Sequence, residues 1–231
     1  MTRQASFDAL CIDLDGTLAD TLQDMVAAVN SLLADEGLPE VSYAQVLAGV
    51  GNGTRALLEF LQPKAPLEQI DRWQRAYPDR YRLFLGRHSQ LYAGALPALR
   101  ALRAAGWPLA CTTNKPSSHA LPLLTQLAVA DCFDVLVCAD QAGARKPDPA
   151  MLLKAAYALG VAPERMCLIG DSDNDIGAAR AAGCSMIAVR CGYGGFANQL
   201  QVPDSLLLAD DFAQATAWIL ESMTLPTSSA S

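Results

Sequence analysis

The chain has 231 residues, a formal net charge of −7 and no basic run, which argues against a nucleic-acid partner held by phosphate neutralisation. At 52% hydrophobic and 18% charged residues it can bury a substantial core and is unlike a disordered chain. No apolar run approaches the ~20 residues of a membrane span, and the N-terminus lacks the basic-then-apolar-then-small order of a secretory signal.

The first element is an apolar run over residues 7–13, and it ends in Asp13-Leu14-Asp15-Gly16-Thr17. On an extended strand residues i and i+2 point the same way, so Asp13 and Asp15 leave the sheet together. Asp and Gly also crowd strand ends because they make turns. Two carboxylates held close repel one another unless a cation lies between them, and hard oxygen ligands suit Mg²⁺. Of such a pair, one can attack an electrophile while the other handles protons.

From residue 19 to residue 92 no good strand follows; apolar residues recur at helical spacing instead. Leu22, Val26, Val29 and Leu33 form one stripe, and Leu57, Leu58 and Leu61 a second. Leu67, Ile70, Trp73, Tyr77, Tyr81 and Phe84 form a third, with Pro78 expected to kink it. Such stripes are packing faces, so the segment is expected to be a small helical domain inserted after the first strand. It leaves the sheet after Leu18 and returns near Tyr92, dividing the chain into a core of 1–18 and 93–225 and an insertion of 19–92. Two connections make a natural hinge. Within the insertion, the glycine-rich stretch Gly49-Val50-Gly51-Asn52-Gly53-Thr54-Arg55 reads either as a turn with Thr54 as helix N-cap or as a loop whose backbone donors and Arg55 meet a ligand.

Beyond it, apolar runs at 108–113, 134–139, 165–170 and 185–190, with a sixth at 205–209, alternate with helix-like segments. Gly106, Gly160 and Gly183 stand where helix stops belong. This alternation implies an α/β fold with a mostly parallel, doubly wound sheet covered on both faces. Pro122 fits the helix after Thr113 if that helix starts near His119. Asp148 reads as an N-cap with Pro149 at the first helical position, which sets Lys146 on the approach to a helix. Asp171, Asp173 and Asp175 follow an apolar strand directly, an arrangement suited to a cation and also to helix capping. The tail 226–231 is expected to fray.

Cys11, Cys111, Cys138 and Cys167 fall in expected core strands, where a thiol behaves as a small hydrophobe. The odd count of seven, without a C-x-x-C pair, points to a reduced, cytoplasmic protein without disulfides.

Taken together, Asp13-Leu14-Asp15-Gly16-Thr17, Thr113 before Asn114-Lys115-Pro116, Lys146, and Gly170-Asp171 with Asp175 strongly resemble the four motifs of the haloacid dehalogenase superfamily, in order, over residues 7–209. The resemblance implies a Rossmann-like core of strand order 3-2-1-4-5 and a helical cap between the first two motifs. It implies Asp13 as the nucleophile that forms an aspartyl-phosphate, and Asp15 as the acid that protonates the leaving alkoxide and then activates water. Mg²⁺ is expected on the Asp13 carboxylate, the Asp15 backbone carbonyl and Asp171, with Asp175 holding either Lys146 or a metal-bound water. Lys146 and Thr113 are expected on the phosphate, and Asn114 among the substrate-binding residues. Thr112 and Thr113 are adjacent and alternate faces, and the family pattern favours Thr113. Ile12 departs from the phenylalanine common before the nucleophile.

Because relatives that cleave carbon–halogen bonds usually lack the second aspartate, Asp15 favours phosphoryl transfer. The Val-Gly-Asn-Gly loop, Thr-Asn-Lys-Pro and the cap length look like bacterial phosphoglycolate phosphatases. The expectation is hydrolysis of a small phosphate monoester, 2-phosphoglycolate first, by a monomer or homodimer. The alternatives are another small phosphate (an N-acetylmuramate 6-phosphate, a sugar phosphate or a nucleotide) or a phospho-accepting signalling domain.

Overall fold

The computed structural model describes residues 7–51, 53–194 and 206–224; Asn52 of the glycine-rich loop and the tail 226–231 lie outside them. The chain opens with β1 (Ala9–Ile12) and runs through β2 (Ala19–Asp20), α1 (Leu22–Asp35), α2 (Tyr43–Gly49), α3 (Thr54–Leu61), α4 (Leu67–Phe84) and β3 (Gln90–Leu91). It continues through α5 (Ala95–Ala104), β4 (Leu109–Thr113), α6 (Ser117–Gln126), β5 (Val135–Cys138), α7 (Ala139–Ala142) and α8 (Ala150–Leu159). β6 (Met166–Gly170), α9 (Asp173–Ala182), β7 (Ser185–Val189), β8 (Leu207–Ala209) and α10 (Phe212–Thr224) complete it.

Six of these strands form one parallel sheet in the order β5-β4-β1-β6-β7-β8. Counted along the core alone this is 3-2-1-4-5, as expected, with the sixth strand added beyond the fifth. Period-2 alternation sorts the side chains into two layers. Leu10, Ile12, Cys167 and Ile169 face a core with α5 and α10 residues such as Leu99 and Phe212. Ala9, Cys11, Met166 and Leu168 face another with Met151 and Leu152 of α8 and Ala178 of α9. Covering both faces lets the strands read as continuous apolar runs. The four strand cysteines are buried and free.

The strand order reverses at β1, between β4 and β6, and in such sheets ligands bind beyond the carboxyl ends of the strands at that point. Asp13 follows β1, Thr113 ends β4 and Asp171 follows β6.

The four helices α1 to α4 bury a core of their own. Leu22, Val26, Val29 and Leu33 of α1 pack with Leu57 and Leu58 of α3 and with Ile70, Trp73, Tyr77 and Tyr81 of α4. Leu67, at the exposed start of α4, does not join the stripe. The two crossings into this unit pair as an antiparallel ribbon, Ala19 opposite Leu91 and Asp20 opposite Gln90. Asp24, fully buried, accepts from Gly86 N–H at 2.7 Å, His88 N–H at 2.9 Å and Ser89 Oγ at 2.5 Å, fastening the return path to α1.

Three helix starts differ from the sequence reading. α6 begins at Ser117, so Pro122 lies inside it; Asp140 takes hydrogen bonds from the Ser117 N–H and hydroxyl at 2.9 and 2.6 Å, a cap supplied from a distant residue. α3 has Gly53 before it and Thr54 as its first residue, without a side-chain cap. Pro149 precedes α8 in helical backbone geometry, while Asp148 Oδ1 accepts from Ala150 N–H at 2.8 Å as a capping acid does.

Candidate active site

Beyond the carboxyl ends of β1, β4 and β6 lies a cavity of about 980 Å³, walled on its far side by α3 and α4. Asp13, Asp15, Thr113, Asn114, Lys146, Asp171 and Arg55 all line it, and Asp175 sits just behind.

Lys146 is the hub. Its ammonium lies 2.6 Å from Asp13 Oδ1, 2.6 Å from Asp175 Oδ1 and 2.9 Å from the Thr112 carbonyl, so all three N–H donors are met. Burial works against its charge, but Asp13 and Asp175 outweigh that and hold the ammonium above its ordinary range. Asn114 fixes its position: the amide donates to the Lys146 carbonyl at 3.1 Å and accepts from its N–H at 2.8 Å. The Asn114 side chain is thereby committed to Lys146. Of the two expected roles for Asp175, the contact present is the one to Lys146. Its other oxygen accepts from Ser172 N–H and Oγ in a capping box at the start of α9.

Asp171 is 3% exposed and sits in a cradle of donors. Thr17 Oγ donates to Oδ1 at 3.0 Å, while Tyr193 N–H and Gly194 N–H donate to Oδ2 at 2.7 and 3.1 Å. The approach of the first loop depends on Gly16: its φ is +87°, and a Cβ there would come within 2.5 Å of Asp171 Oδ2.

Among the described residues, Asp13, Asp171 and Asp175 present oxygens within 4.8 Å of one another. Burial pushes the Asp13 carboxyl well above its ordinary range against the pull of Lys146, and Asp175 and Asp171 add to the rise. Burial, with Asp175 beside it, pushes Asp171 up to about 6 despite its three donors. Crowded hard-oxygen ligands short of positive charge fit a divalent cation; Asp13 and Asp171 are the groups that would hold it.

Asp15 stands apart from this cluster. Its Oδ1 accepts from Thr21 Oγ at 2.6 Å and pairs with Lys115 at 3.0 Å. Thr113, rather than Thr112, lines the cavity, and its Oγ accepts from Lys115 N–H at 3.1 Å. Thr112 Oγ is buried without a hydrogen-bond partner. Arg55 reaches the wall, but its guanidinium is spent on Glu59 at 2.8 Å, Asp71 at 2.5 Å and Gln74 at 3.1 Å, tying α3 to α4.

Sequence reading missed Lys115 and Tyr193. Lys115 is 7% exposed, and its ammonium also donates to Tyr81 of α4 at 3.0 Å. Its only signal was its place beside Asn114 in a chain poor in cations. The Tyr193 hydroxyl accepts from Thr21 and Leu22 N–H at 2.5 and 3.0 Å and donates to Asp20 at 2.8 Å, so it caps α1 from far along the chain. Further contacts seat the insertion on the core. His119 Nε2 lies 3.1 Å from the Pro78 carbonyl, and Asn174 donates to the Gly51 carbonyl at 3.1 Å.

Residues 10–189 match the model of the haloacid dehalogenase-like hydrolase family. A phosphoglycolate phosphatase from Chromobacterium violaceum is 37% identical over 190 residues, 80% of this chain and 86% of that protein. A plasmid-encoded phosphoglycolate phosphatase from Cupriavidus necator is 39% identical, covering 81% and 82%. The crystal structure of a predicted phosphoglycolate phosphatase from Haemophilus somnus superposes with a TM-score of 0.82 at 31% identity, covering 92% of this chain and 98% of that one. Motif order, site geometry and these likenesses agree: the chain belongs to the haloacid dehalogenase-like hydrolases.

Proposed function

We propose that the protein is a Mg²⁺-dependent phosphatase that hydrolyses a small phosphate monoester, 2-phosphoglycolate first, through an aspartyl-phosphate. The observation that carries this reading is the gathering of Asp13, Lys146, Asp171 and Asp175 at the point where the strand order reverses, with Asp15 held separately nearby. The relatives named phosphoglycolate phosphatase support the substrate.

Uncatalysed phosphate monoester hydrolysis is so slow that accelerations up to ~10²¹-fold are known. Much of that must be electrostatic, because a dianionic substrate repels a carboxylate nucleophile. A bound Mg²⁺ offsets that repulsion and polarises the transferred group. Lys146 orients Asp13 through one carboxylate oxygen and supplies a fixed positive charge beside the phosphoryl group. Asp13 attacks phosphorus, and the Thr113 hydroxyl donates to a phosphoryl oxygen. Asp15, steadied by Thr21 and Lys115, protonates the departing alkoxide and then takes a proton from the water that cleaves the aspartyl-phosphate. The insertion 19–92 acts as a cap hinged at the β2–β3 ribbon, closing through the contacts to Lys115, His119 and Asn174. Seven free thiols support the expected cytoplasmic setting.

The test is phosphate release with and without Mg²⁺ across 2-phosphoglycolate, sugar phosphates and nucleotides. A preference for 2-phosphoglycolate that disappears with chelator is expected. Release from none of them would reject the phosphatase reading, and a sugar phosphate preferred by tenfold would reject the substrate.

A further inference from the structure

Two buried lysines face this cavity, and they differ in how well their charge is met. Lys146 has three acceptors for its three N–H groups, two of them carboxylates. Among the described residues Lys115 has two, Asp15 Oδ1 and the neutral hydroxyl of Tyr81, each at 3.0 Å, with the Tyr81 ring 4.7 Å from the ammonium. A surface lysine keeps its head in water and buries only its stem. Here Lys115 lines the cavity, and its ammonium has two acceptors for three N–H groups.

We propose that Lys115 receives the second anionic group of the substrate, the carboxylate of a short phosphorylated hydroxy acid. This rests on the phosphatase reading above for the phosphate end. The backbone makes the placement specific. Lys115 follows Thr113 by two residues, and its N–H donates to Thr113 Oγ. The loop that offers a hydroxyl to the phosphate therefore carries an ammonium two residues on, as suits a substrate whose two anionic groups are separated by one methylene and the ester oxygen. The other cations on the wall are poorer candidates. Arg55 is already neutralised by Glu59 and Asp71, and Arg145 is exposed to solvent, where pairing gains little. Tyr81 belongs to α4, so one of the two partners of the ammonium is in place only when the insertion sits on the core, while Asp15 holds it from the core side. Recognition of the carboxylate is thereby tied to closure.

The test is calorimetric binding of 2-phosphoglycolate and of ethyl phosphate, which has the same carbon count without the carboxylate, to full-length Asp13→Asn protein in magnesium buffer. Asp13→Asn prevents turnover, so binding is read independently of hydrolysis. A charge-assisted hydrogen bond implies at least about tenfold tighter binding of 2-phosphoglycolate. Adding Lys115→Met should erase that ratio while leaving ethyl phosphate within about threefold, and Lys115→Arg should retain most of it. Equal weakening of both ligands by Lys115→Met would make the residue a scaffold for Asp15 or the fold, and would overturn the inference. So would an unchanged ratio. Should Lys115→Met not fold, the inference is overturned if Asp13→Asn protein binds the two ligands equally, or if Lys115→Arg loses both alike. Failure of the wild-type enzyme to release phosphate strikes the phosphatase reading instead, and the binding ratio still decides the role of Lys115.

Discussion

Asp175 and Lys146 form a buried ion pair at 2.6 Å, the carboxylate fully enclosed and the ammonium turned toward Asp13. Through this pair the start of α9 sets the position of a charge that acts at the end of β1. Asp175→Ala leaves the ammonium with one carboxylate and removes the capping box at Ser172. A broken buried pair costs about 3–5 kcal/mol, so Asp175→Ala should lower the denaturation midpoint sharply. Urea unfolding followed by circular dichroism checks it.

Lys146→Met keeps the stem volume but leaves Asp13 and Asp175 buried without their cation, so it should lower the denaturation midpoint as well, and its folded fraction should lose about 100- to 1,000-fold in kcat as a missing fixed charge does. Asn114→Ala should produce a smaller loss of the same kind, since the amide positions Lys146 through its backbone. Steady-state kinetics on both variants, with far-ultraviolet circular dichroism as the fold control, separates the effects.

Gly16→Ala forces a side chain onto a residue at φ +87° and against Asp171. We expect weakened divalent-cation binding, measured by calorimetry, together with a lower melting temperature. Unchanged affinity would mean that the close approach of the first loop does not set the Asp171 position.

The hydroxyl of Tyr193 satisfies two N–H groups at the start of α1. Tyr193→Phe removes that acceptor from Thr21 N–H, at a cost of about 1–3 kcal/mol, while Leu22 N–H keeps Asp20 Oδ1 at 3.1 Å. Hydrogen exchange at Thr21 should accelerate while exchange within β6 stays unchanged.

His119 supplies a pH dependence. Burial, with the Lys115 charge beside it, lowers its pKa below the ordinary 6.5. The unfolded chain therefore binds the proton more readily than the folded one. Stability rises with pH across the window from the lowered folded value up to 6.5 and is fully present above it. His119→Gln should flatten the melting-temperature profile in that window, since the neutral amide can still donate to the Pro78 carbonyl.

The sheet was legible because strands buried on both faces read as unbroken apolar runs, and the Asp13 to Thr17 loop, Lys146 and Asp171 each sit at the end of such a run or beside a capping signal. What sequence could not supply was anything made by distant partners. Pro122 lies inside α6 because Asp140 caps the helix two residues earlier than local signals suggested. Lys115 drew no role of its own from the sequence, since Asp15 and Tyr81, which bury it, come from the first loop and from α4. Asp24 and Tyr193 escaped for the same reason: the groups they satisfy lie sixty or more residues away.

Trapping the phosphorylated enzyme tests the central claim most directly. Asp15→Ala protein, deprived of the group proposed to protonate the alkoxide and activate water, should accumulate a phosphoryl group after brief mixing with Mg²⁺ and an aryl phosphate, whose leaving group needs no acid. Borohydride reduction and peptide mass spectrometry should then assign it to Asp13. A label on any other residue, or an enzyme that turns over at the wild-type rate with Asp13 replaced by asparagine, would contradict the account.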